Sequence, residues 1–143
     1  MNIFRYIIAK YKFQENSIPP INIGVIIQSD SDIRCKFIDD TSSIEKTGNS
    51  NLPDKLLFKN LEKTLINRFS EGTISITDKE TREKQEINYT DPRYLEYLNT
   101  NFLNTYIFED KGVIQAEKID EALVNLYRNY VNPNLQLANR QSV

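Results

Sequence analysis

Three pairs of acids, Asp30/Asp32, Asp39–Asp40 and Glu109–Asp110, make up the acid–base material of this chain. Such a pair acts as general acid and base only when both carboxyls converge on one substrate atom in surroundings that separate their pKa values. Each pair falls in a segment that reads as a turn, where an aspartate bonds its own backbone. That turn role explains all three without catalysis. Asp39 and Asp40, joined by further acids around a cation, would instead support a metal-dependent hydrolase or nuclease. No EF-hand spacing follows "DSD", and neither a P-loop nor a GxGxxG motif is present.

The chain has no histidine. This removes Ser–His–Asp and Cys–His catalysis and nearly all zinc and non-haem iron sites. Cys35 is the only cysteine, so no internal disulfide forms, and a lone thiol suits a reducing cytoplasm. Its cationic neighbours Arg34 and Lys36 could lower a thiol pKa, but "DIRCKFID" alternates like a strand, which predicts a packed cysteine. No catalytic residue, metal or cofactor is expected.

Arg5, Tyr6, Lys10, Tyr11 and Lys12 interleave basic and aromatic groups, as a single-strand-binding sheet would. Alternation along a strand divides that patch, with Arg5 and Tyr11 on one face and Tyr6, Lys10 and Lys12 on the other. RNP-like motifs are missing. A formal charge of −2 and a pI near 5.3 give no global field for polyanions. Nucleic-acid binding is therefore the alternative reading rather than the main one.

The elements that position these residues follow from periodicity. The length of 143 residues fits one domain, read here as residues 1–131 with a polar tail over 132–143. No apolar run is long enough to span a bilayer. The opening "MNIFRYIIAKYKF" is broken by Arg5, Lys10 and Lys12 and lacks a cleavage site, so it does not read as a signal peptide. Ile3–Phe13, Ile21–Gln28 and Ile33–Ile38 read as three strands of an antiparallel meander. A polar loop, "DDTSSIEKTGNSN", precedes a helix over Pro53–Ser70, with Leu57, Phe58, Leu61, Leu65 and Phe69 at a period of 3.6 and Gly72 at its exit.

"TISIT" reads as a short strand and "DKETREKQE" as a solvated connector. Asp91 caps a helix that starts at Pro92 and runs on through Leu95, Leu98 and Phe102. "TYIFEDKGVIQAE" reads as one or two strands broken at "EDKG". Ile119, Ala122, Leu123, Leu126, Tyr127 and Tyr130 form the stripe of a final helix closed by Pro133. Strands first and helices later, without strict alternation, give an α+β fold in which about three helices pack on an antiparallel sheet.

Within "PPINIGVIIQ" one of only four glycines interrupts an apolar strand. Glycine there marks a bulge or a close approach. The expectation is that Gly24 makes room for a helix lying across the sheet, with Asn22 satisfying a loop or a neighbouring strand end. An alternative makes both residues the floor of a small site.

"FRYIIAKY" followed by "INIGVII" resembles the small bacterial proteins grouped as domain of unknown function 3037. Their first strand carries an aromatic–Arg–Tyr core and their second Asn-Val-Gly-Val. Asn22, Gly24 and Val25 match, with Ile23 in place of valine. "GVIQAEKI" and "ALVNLYRNYV" look like the family's late strand and closing helix, with Leu123, Leu126, Tyr127 and Val131 at its apolar positions. The likeness covers about the first forty and last thirty residues. Where the family has a Gly-Glu pair before the Asn strand, this chain has "SIPP". The resemblance implies an α+β fold and a regulatory role beside a kinase-like partner of the HipA type, in a toxin–antitoxin or phage-defence pair.

These readings converge on a cytoplasmic, non-catalytic domain that binds another protein, with a homo-oligomer left open and no membrane partner. The expected partner-binding residues are Tyr127, Tyr130, Leu135 and Leu137 on the final helix and tail, with Arg5, Asn22 and Gln28 as a second group. Tyrosine favours such surfaces because it joins apolar area to a polar tip.

Overall fold

A computed structural model of the chain describes residues 1–13, 19–39, 56–78, 80–101 and 105–131, apart from the side chains of 99–101. Asp40, Pro53, Phe102, Pro133, Leu135, Leu137 and the tail 132–143 lie outside the described residues.

Strands β1 (Asn2–Tyr11), β2 (Ile21–Gln28) and β3 (Ile33–Phe37) form the expected antiparallel meander. β6 (Tyr106–Ala116) returns along the other side of β1, so the sheet runs β3-β2-β1-β6. Three helices lie among the described residues: α1 (Leu57–Phe69), α2 (Pro92–Asn101) and α3 (Ile119–Tyr130). The fold is α+β. Ile7, Ile8, Ala9, Ile23, Val25, Ile26 and Ile27 are fully buried, because β1 and β2 are central strands covered on both faces.

One face of the sheet carries α1 and α2. Tyr11 meets Phe58 there with ring centroids 5.2 Å apart, edge to face. The other face carries α3, where Tyr6 faces Tyr130 at 6.2 Å and the Lys36 ammonium lies 4.9 Å above the Tyr127 ring.

Gly24 has a different neighbour from the one expected. It pairs across the ladder with Phe37, and a Cβ at this position would stand 2.4 Å from the Phe37 ring. The room is kept for a cross-strand aromatic, not for a helix crossing the sheet. A register shift at Ala9/Lys10 then pairs Lys10 with Asn22 and skips Ile23. This bulge turns Asn22 from the face it would share with Gly24 to the α3 face. There its amide donates to the Tyr130 carbonyl at 2.8 Å and caps the end of α3.

β6 is one continuous strand through "EDKG", with a bulge where Tyr6 pairs with Gly112 and Ile7 with Asp110. Gly112 has φ +95° and donates its N–H to the Asp110 carboxylate, a conformation glycine adopts without penalty. Glu109 and Asp110 therefore sit in a paired strand, Asp110 at the edge of its bulge, rather than in the expected turn. Glu109 is bound by Lys10 at 2.6 Å and Lys111 at 2.7 Å, and these cations hold its carboxyl below the usual range.

The charge run is also more ordered than its composition suggests. "TISIT" forms β4 (Thr73–Thr77), and the second half of the run continues into β5 (Lys84–Asn88) to make a separate two-stranded hairpin. Its inner side needs only Ile74 opposite Ile87 and Ile76 opposite Gln85, so the charged residues keep to the solvated side. At α2 the expected cap is present. The Arg93 N–H donates to Asp91 Oδ1 at 2.9 Å, and Pro92 takes the first helical position.

Candidate interaction site

Among the described residues β3 is an edge strand, and the way its backbone bonds are used defines the site. Ile38 donates its N–H to the Ile23 carbonyl, and the ladder pairs Val25 with Lys36 and Ile27 with Arg34. Antiparallel pairing alternates between bonded and non-bonded pairs, so Arg34, Lys36 and Ile38 bond β2. The N–H and C=O of Ile33, Cys35 and Phe37 point outward, away from the sheet.

Two of those three donors are sealed by carboxylates. The Ile33 N–H donates to Asp32 Oδ1 at 2.8 Å. The Phe37 N–H donates to Glu62 Oε2 at 2.6 Å in the interior. Glu62 comes from the buried side of α1, between Phe58 and Leu65, and its other oxygen accepts from Lys59 at 3.1 Å. Cys35 lies midway between these sealed positions, and among the described residues no group bonds its outward N–H or C=O.

The open stretch looks into a groove of about 610 Å³ whose lining runs from Ser31 to Cys35 along the strand. One wall, from α1 and its exit, has Ile66 and Phe69. The other, from α3, has Asp120 and Leu123. The Arg34 guanidinium spans the polar side, donating to Asp32 at 3.0 Å and to Asp120 at 2.7 Å. Cys35 itself is not an activated thiol. Burial, and then the nearby Glu62 carboxylate, push it up to about 12, so at neutral pH it is a small apolar side chain.

The residues expected to bind a partner fall into two groups that do not meet. Gln28 is fully buried. Its amide donates to the carbonyls of Tyr89 at 2.7 Å and Asp91 at 2.9 Å, and its oxygen accepts from Arg5 Nε at 2.8 Å. Arg5 also reaches Thr90 O at 3.2 Å and Asp30 at 3.1 Å. Together they clamp the 89–91 turn onto the sheet, and Gln28 offers a partner no surface.

Asn22, Tyr127 and Tyr130 gather instead on the α3 side, where they serve internal contacts. Burial pushes the Tyr127 phenol up to about 12. Burial, followed by its hydrogen bond with Tyr130, does the same to Tyr6. The basic–aromatic series of β1 is likewise engaged, Arg5 in the clamp, Lys10 with Glu109, and Tyr11 against Phe13 and Phe58.

Sequence reasoning passes over Glu62 and the groove walls. A signal for Glu62 is present, because it sits four residues after Phe58 and three before Leu65, inside the apolar stripe. Asp39 pairs with Lys59 at 3.3 Å, while Asp40 lies outside the described residues. Among the described residues no three of His, Cys, Asp and Glu stand close enough to hold a metal ion, and no helix is long and apolar enough to cross a membrane. Compared with protein-family models, with curated proteins and with solved structures, the chain matches none.

Proposed function

We propose that this chain is a non-catalytic regulatory domain that works by binding another protein, and that the partner docks at the open rim of β3. The observation that carries this reading is the outward backbone pair of Cys35, which no described residue bonds, in a groove between two helices where the N–H groups of both rim neighbours are sealed. An unpaired strand edge is the surface through which a folded domain takes up a strand from another chain. The side of α3 that faces this groove, with Asp120 and Leu123, replaces Tyr127 and Tyr130 as the expected contact surface.

A reducing cytoplasm is the compartment that suits a single free cysteine. The resemblance to the domain of unknown function 3037 makes a kinase-like protein of the HipA type the first partner to try. Coexpression with the products of the flanking genes, followed by native mass measurement, tests the reading. A stable complex with one of them is expected. A lone monomer in the presence of every neighbour would overturn it.

A further inference from the structure

The small second sheet has an open edge of its own. Asp78 donates its N–H to the Glu83 carbonyl, and Tyr89 donates to the Gly72 carbonyl. The alternation of antiparallel pairing then has Ile74 and Ile76 of β4 bonding Ile87 and Gln85 of β5. The N–H and C=O of Thr73, Ser75 and Thr77 therefore point away from β5, and no described residue bonds them. β5 is the strand that packs on α2, while Ser75 and Thr77 of β4 are exposed. A two-stranded hairpin is marginal by itself, and further strands on its edge stabilise it.

Edge strands are ordinarily blunted by a charge, a proline or a bulge, and β4 has none of these. Its sequence, Thr-Ile-Ser-Ile-Thr, holds no charged residue in a chain that is 27% charged. Its register with β5 is unbroken, and its residues read the same in both directions. That symmetry names the occupant. Two antiparallel β4 strands related by a two-fold axis at Ser75 set Ser75 opposite Ser75, Ile74 opposite Ile76 and Thr73 opposite Thr77. All three outward residues of each copy then exchange backbone bonds, whereas a register shifted by two residues keeps only two of these pairs. Hydroxyl pairs across strands are favourable, and no charge stands opposite a like charge. The partly buried Ile74 and Ile76 continue their apolar row across the axis.

We infer that the chain forms a two-fold dimer through β4, joining two hairpins into one sheet of order β5-β4-β4-β5. The outer edges of that sheet do not invite more copies. The outward positions of β5 are Lys84, Glu86 and Asn88, two of them charged, and the Asn88 carbonyl already accepts from the Asp91 N–H. Assembly therefore closes at two chains. The dimer needs no foreign partner and stands apart from the binding reading for β3.

Sedimentation equilibrium of the full chain tests this from about 5 µM to about 500 µM, the range in which an interface of one strand pair dissociates. The mass is expected to rise from one chain toward two. Over the same range the amides of Thr73, Ser75 and Thr77 should slow their exchange by about tenfold. Ser75→Pro removes an outward N–H that the hairpin itself does not use. It should weaken the dimer by at least about tenfold, with an unchanged thermal transition at the lowest concentration. A bonded pair stands with its Cα atoms about 5.5 Å apart, within the span of a disulfide. Mild oxidation of Ser75→Cys should therefore join two chains, and Glu86→Cys, one strand away from the axis, should stay unlinked. Cys35 is buried and stays out of this reaction.

A mass of one chain at every concentration would overturn the inference. So would a dimer that leaves the Ser75 amide exchanging freely, one that Ser75→Pro forms equally well, or one in which Ser75→Cys cross-links no better than Glu86→Cys. If Ser75→Pro fails to fold, the two cysteine variants decide. A complex with a neighbouring gene product at β3 stands or falls separately.

Discussion

Phe37 and Cys35 stand two residues apart on the rim of β3, both with the N–H turned away from the sheet, and the fold treats them differently. At Phe37 a carboxylate from α1 reaches across and takes the donor. At Cys35 nothing among the described residues does so, although Asp32 performs the same service at Ile33. A buried unbonded N–H is costly, and the groove resolves the difficulty by giving Cys35 access to water or to a partner. The Arg5–Gln28 corner sharpens the contrast. There every amide atom of a fully buried glutamine is bonded, and the result is a clamp. Sealed polar groups hold this molecule together, and the open pair is where it can bind.

The first way to break the comparison is chemical. If Cys35 faces the groove as an apolar side chain, its thiolate population is suppressed by the shift from 9.0 to about 12. Alkylation by iodoacetamide at pH 8 should then lag a free cysteine by about a thousandfold. Labelling at the rate of a free thiol would mean that the rim is far wetter than the structure has it. Next in size is the clamp. Gln28→Leu removes the partner of Arg5 Nε and strips two carbonyls of their donor, and should cost about 3 kcal/mol in chemical denaturation. A loss near zero would make the corner dispensable.

Gly24→Ala comes third. Its methyl would press on the Phe37 ring, at a cost of about 2 kcal/mol. Phe37→Leu in the same chain should recover part of that loss, since the two substitutions share one contact.

The smallest effect is at the cap of α2. Bonds from the Arg93 guanidinium, and then from its backbone N–H, hold the Asp91 carboxyl below its ordinary 3.8. The folded value is depressed, so the stabilisation is present above 3.8 and is lost as pH falls through the folded value. Asp91→Ala should cost about 1 kcal/mol at neutral pH. Asp91→Asn should flatten the acid limb of the stability curve while keeping most of the cap.

How far the amino-acid sequence alone makes these features legible depends on the range of the interaction. The meander, the Asp91–Pro92 helix start and the stripe of α3 are written in local periodicity, and each is present. β5 is hidden because only Ile87 of "KQEIN" is buried, so its composition looks like that of a solvated linker. Asn22 cannot be placed from pattern, since the bulge at Ile23 depends on how β1 and β2 register, and that bulge decides which face the amide reaches. The open pair at Cys35 is less legible still. It follows from which β3 residues bond β2, where α1 crosses, and which carboxylates happen to reach the rim. Glu62 is the one accessible clue, a charge inside an apolar stripe.

Amide hydrogen exchange along β3 weighs the sealed and open positions against each other in one experiment. The account predicts that in the free protein the Cys35 amide exchanges far faster than those of Arg34, Lys36 and Phe37, and that it slows when a partner strand is bound. Equal protection of Cys35 and Phe37 in the free protein would contradict it.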